Sequence, residues 1–145
     1  MTWTLTLAGN SSSLGVNKTT ANQAKMKLGD TYEKVGTPLG YTKDQTYITA
    51  VISESKMDKI AKVEVDCGST TWGTIAPEKV GLVYSTTGTS YTLIENQDYD
   101  SDGNTFTFSP IASAYYAVVI YTSTTMNTKK CMRLDNPQFK YYKFE

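Results

Sequence analysis

The chain predicts an all-β fold, a two-sheet antiparallel β-sandwich of jelly-roll type with about ten strands. Three observations lead there. Apolar and polar residues alternate with period two through most of the hydrophobic stretches, turn signals recur at spacings of about ten residues, and no stretch keeps a helical period long enough to supply the crossover helices of a parallel sheet. With 145 residues, 39% of them hydrophobic, a single domain over 1–145 can bury a continuous core without disulfide or metal staples.

The elements follow in order. Trp3, Leu5 and Leu7 alternate with Thr2, Thr4 and Thr6, so a half-buried strand begins almost at the first residue. The stretch 10–20 is polar, contains Gly15, and reads as a loop. Ala24, Met26 and Leu28 alternate with Lys25 and Lys27, which favours a strand over the competing short helix from Thr20. A short strand is expected at 32–35, followed by a Pro and Gly turn at 36–40. The β-branched stretch 46–52 is strand-like. Stretch 60–67 alternates cleanly, with Ala61, Val63, Val65 and Cys67 on one face and Lys62, Glu64 and Asp66 on the other. Strands at 79–85, 90–95 and 104–109 are separated by Thr-Thr-Gly and Asp-Gly turn signals. The nearly continuous apolar run 115–121 fits a central strand covered on both faces, and strands at 131–134 and 139–144 close the chain.

Composition excludes several functions. Fourteen basic residues balance fourteen acidic ones, so no net field draws nucleic acid or an anionic membrane to the chain. The sequence has no histidine, which removes Ser-His-Asp and Cys-His nucleophiles and histidine metal sites. Neither G-x-G-x-x-G nor G-x-x-x-x-G-K occurs, and the two cysteines, Cys67 and Cys131, are too few for a structural zinc module. They read as two buried thiols, with one disulfide as the alternative. No run of eighteen apolar residues spans a membrane, and Met1-Thr-Trp-Thr-Leu5 lacks the regions of a signal peptide. The expectation is a non-enzymatic, soluble surface module.

Candidate ligand-binding residues are aromatic. Trp72 lies in the flexible setting Gly68-Ser-Thr-Thr-Trp-Gly73, where an indole is available to stack on a sugar or anchor a protein interface; Tyr41 and Tyr99 lie in loops and join it. The competing reading makes Trp72 a cap on one end of the core. Asp98, Asp100 and Asp102, followed by Gly103, have a spacing that wraps oxygens around calcium, although Ser109 stands where an EF-hand loop places its bidentate Glu. The competing reading is a tight Asp-Gly hairpin with acidic residues at its tip.

The order of Lys62-Val-Glu-Val-Asp66, the run 115–121, and Arg133-Leu-Asp-Asn-Pro137 leading into Phe139-Lys-Tyr141 resembles jelly-roll modules of the galactose-binding-like and carbohydrate-binding type, and also sandwich modules displayed on phage surfaces. The resemblance covers roughly 41–145 and implies that Asp135 helps hold a structural calcium, against a turn-capping role before Pro137. It implies two functions. The first is a virion structural protein, such as a phage capsid-decoration, head-fibre or tail-associated subunit, which needs no export signal because virions leave by lysis. The alternative is a carbohydrate-binding module from a larger secreted bacterial protein, with a glycan as partner, placed outside the cell or at its surface. The fold alone does not separate them.

Overall fold

The computed structural model describes residues 3–10, 13–16, 27–28, 35, 37–40, 47–53, 55–68, 75–124, 132–135 and 138–144, and through them the chain is an antiparallel β-sandwich. Its described strands are β1 (Trp3–Asn10), β2 (Ser13–Val16), β3 (Lys27–Leu28), β4 (Tyr47–Ile52), β5 (Ile60–Asp66), β6 (Lys79–Ser85), β7 (Thr92–Asp98), β8 (Asn104–Ile111), β9 (Tyr115–Thr122), β10 (Met132–Asp135) and β11 (Gln138–Phe144). One sheet has the order β1-β11-β5-β8, the other β3-β4-β9-β6-β7, and β10 pairs separately with β2. Every pairing is antiparallel. The chain passes from one large sheet to the other at β4 to β5, β5 to β6, β7 to β8 and β8 to β9, which is the winding of a jelly roll.

The interior follows from period-two patterning. In β5 the residues Ala61, Val63 and Val65 are buried while Asp66 faces water, as the alternation predicts. Ile60 is buried beside Ala61 because the register against β8 slips between Ile60 and Lys62. β9 lies between β4 and β6 and serves two apolar layers. Tyr116, Val118 and Ile120 pack with Val63, Val65, Phe106, Phe139 and Tyr141 between the sheets. Ala117, Val119 and Tyr121 pack on the other face beneath Val35 and Leu39. The continuous apolar run of β9 therefore reflects two covered faces.

Three expectations are corrected. Ser13–Val16, inside the stretch expected to be a loop, is a strand that pairs with β10; its four residues, Ser-Leu-Gly-Val, are too few for an alternation to stand out from the polar residues around them. Val35 has helical backbone rather than strand, and a 3-10 turn at Thr37–Leu39 follows. Pro38 pre-sets that turn, and Gly40 leaves it at a φ of 77°. Finally, β7 and β8 are not a hairpin: β7 pairs with β6, β8 pairs with β5, and the Asp-Gly turn carries the chain from one sheet to the other.

Candidate functional site

The link between β7 and β8 is built by Asn104, a buried amide at the start of β8. Its Nδ2 donates to the Asp98 carbonyl at 2.8 Å and to Gln97 Oε1 at 3.1 Å, and its Oδ1 accepts from the Asp100 N–H at 3.1 Å. Asp100 Oδ1 accepts from the Asp102 N–H at 2.9 Å, and the Gly103 N–H closes the turn on the Asp100 carbonyl at 3.0 Å. Gly103 takes a φ of 116°, a conformation strained for any residue with a Cβ. The Asp98 carboxylate pairs with the Lys79 ammonium on β6. The Asp98 and Asp100 carboxylates of the expected calcium loop thus serve separate bonds, and among the described residues no three acidic or cysteine side chains converge as a metal site.

Beside this corner lies an open groove of about 310 Å³ over the solvent face of the four-stranded sheet. Register builds it. Glu64 on β5 stands between Lys140 on β11 and Thr105 on β8, while the next outward residue, Asp66, stands opposite Gln138. Directly opposed residues in an antiparallel pair share a face, so these side chains form two adjacent cross-strand rows. Asp102 and Gly103 of the corner turn line the same groove. Asp66 Oδ1 accepts the Gly68 N–H at 2.8 Å, which fixes the carboxylate at the end of β5.

The neighbouring row holds Tyr142, Lys62 and Thr107. Tyr142 donates its hydroxyl to Glu64 Oε2 at 3.0 Å, and Lys62 Nζ lies 3.2 Å from Glu64 Oε1 and 4.7 Å from the centre of the Tyr142 ring. Burial, reinforced by the bond to Glu64, raises Tyr142 above the ordinary phenol pKa. Both oxygens of Glu64 are thereby held in place at the groove.

Of the aromatic candidates, Trp72 and Tyr41 lie outside the described residues. Tyr99 is half-buried: its ring packs on the larger core cluster and its N–H bonds the Glu78 carbonyl at 3.0 Å. Its position is that of a packing residue at the rim of the sandwich. Asp135 ends β10 opposite Ser13, away from the aspartate turn in sequence and in sheet. Cys67 is a free, buried thiol whose pKa is pushed up to about 12, first by burial and then by the charge of Asp66. Cys131, the partner in the disulfide alternative, lies outside the described residues.

Glu64, Asp66, Gln138 and Lys140 were not singled out by sequence reasoning. The alternation of 60–67 already places Glu64 and Asp66 on the solvent face, but only the pairing of β5 with β11 brings Gln138 and Lys140 beside them.

No family model matches this chain. No curated protein matches it. Among solved structures, it is similar to CBM32-1 from a family 31 glycoside hydrolase from Clostridium perfringens, at 14% identity and a TM-score of 0.46 over 81% of this chain and 94% of that one. It is also similar to the C-terminal domain of a chitobiase from Bacteroides fragilis, at 13% identity and a TM-score of 0.43 over 93% of this chain and 91% of that one. The two-sheet antiparallel sandwich itself rests on the strand order and pairing of this chain.

Proposed function

We propose that the chain is a non-catalytic binding module that holds a saccharide in the groove on the solvent face of its four-stranded sheet. The observation that carries this reading is the groove's chemistry: carboxylates of Glu64 and Asp66, the Gln138 amide, the Lys140 ammonium and the Thr105 hydroxyl converge on one open surface. Sugar hydroxyls donate and accept at once, and such a set of mixed donors and acceptors on rigid strands answers them pairwise. A chain with no histidine lacks the commonest general base, so binding is assigned to the site and turnover is not.

Extracellular or cell-surface display belongs to the same reading. The virion assignment is not carried forward, because no observation in the described residues favours it over a glycan partner.

Isothermal titration with neutral oligosaccharides tests the proposal. Wild-type protein should bind a member of the set, and Gln138→Ala should weaken that binding about tenfold while leaving the melting temperature nearly unchanged, since Gln138 is exposed. Failure to bind any oligosaccharide, or hydrolysis of one by the pure protein, overturns it.

A further inference from the structure

We propose that Glu64 is the residue that sets the groove's specificity, selecting uncharged or amino saccharides and turning away acidic ones, with Tyr142 and Lys62 as its positioning residues. The inference rests on the saccharide reading and names the substrate class of that same site.

The argument begins with what holds Glu64. A carboxylate on an open strand face ordinarily samples several rotamers, and fixing it for a ligand has an entropic cost. Here the Tyr142 hydroxyl takes one oxygen at 3.0 Å and the Lys62 ammonium takes the other at 3.2 Å, while the ammonium also rests over the Tyr142 ring. The three residues lie on two adjacent strands, Lys62 directly opposite Tyr142, so the arrangement is set by backbone register rather than by a loop. A preorganised group of this kind contributes more to affinity than a mobile one.

A carboxylate has about four acceptor sites, and two are occupied here. The remaining lone pairs accept hydrogen bonds and cannot give any. A neutral sugar meets them with hydroxyl hydrogens and an amino sugar with N–H groups. The charged group of a uronate or sulfated sugar brings no hydrogen to that contact and meets the charges of Asp66 and Asp102, which line the same groove. Lys140, opposite Glu64, marks the side of the groove where a ligand oxygen accepts.

The test compares two probe sets by titration calorimetry: neutral oligomers of glucose, galactose and N-acetylglucosamine, and acidic polymers, namely polygalacturonate and a sulfated glycosaminoglycan. Wild-type protein should bind from the first set and not from the second. Glu64→Gln, nearly isosteric, should narrow that preference by about tenfold or more. Tyr142→Phe keeps the ring for Lys62 and releases one Glu64 oxygen. It should weaken neutral binding several-fold at an unchanged melting temperature, and in the free protein it should move the Glu64 carboxyl carbon resonance in the NMR spectrum. A preference between the two sets that is identical in wild type and Glu64→Gln removes the inference and leaves the saccharide reading standing. Absence of binding to either set removes both, and a Glu64 resonance unmoved in Tyr142→Phe removes the positioning role alone.

Discussion

At the scale of single residues, the core contains two tyrosines treated differently from a third. Tyr121 donates its hydroxyl to Asn96 Oδ1 at 2.6 Å. Tyr116 and Tyr141 have ring centres 5.7 Å apart and buried hydroxyls with no hydrogen-bond partner among the described residues. A buried polar group without a partner keeps its desolvation penalty, roughly 1–3 kcal/mol, with nothing to offset it. Tyr141→Phe removes only that hydroxyl, so its unfolding free energy should equal or exceed the wild-type value by up to about 1 kcal/mol in urea titrations. Tyr121→Phe, which breaks a made bond, should fall by about 1 kcal/mol. A loss in Tyr141→Phe as large as in Tyr121→Phe would reveal a bridging water as partner.

At the scale of elements, the corner between β7 and β8 shows what local sequence says and omits. Asn104 uses both its donor and acceptor ends there, so Asn104→Asp keeps the bond from the Asp100 N–H and loses both donated bonds. That buried loss, with a carboxylate now facing the Asp98 carbonyl, should cost about 2–4 kcal/mol by urea unfolding. An unchanged midpoint would show that the corner is held by the strands alone. The Asp-Gly signal identified this turn correctly, yet a turn signal describes four residues and not which sheet receives the next strand. Likewise β5 and β11 were legible because burial of one face enforces period two, and β6 and β9 because burial of both faces leaves a nearly continuous apolar run. β2 was not, since its pairing with β10 is long-range, whereas the turn at 36–40 was legible from Pro38 and Gly40. The groove was half legible for the same reason: one strand's outward face can be read from alternation, whereas cross-strand neighbours depend on long-range register.

At the scale of the whole molecule, acidic groups buried between the sheets link stability to pH. Cys67, Tyr116 and Tyr141 belong to the same cluster, and burial raises all three pKa values, with Cys67 pushed up to about 12 from its ordinary 9.0. In the unfolded chain these groups ionise at their ordinary values; in the folded chain they stay protonated. Their contribution is therefore fully present below the unfolded pKa and is lost as pH rises toward the folded one. For Cys67 the window runs from pH 9.0 to about 12, and the tyrosines act in the same direction from their ordinary value of 10.0 upward. Each such group removes up to about 1.4 kcal/mol per pH unit inside its window. Urea unfolding repeated in half-unit steps from pH 8 to pH 11 should show a falling free energy that begins near the thiol's unfolded pKa and steepens once the phenols join. Cys67→Ala should delay the onset by removing the first contributor, while Tyr141→Phe should leave the onset alone and flatten the steeper part. If neither variant changes the profile, the alkaline loss arises from surface charge, and burial of these three groups does not govern it.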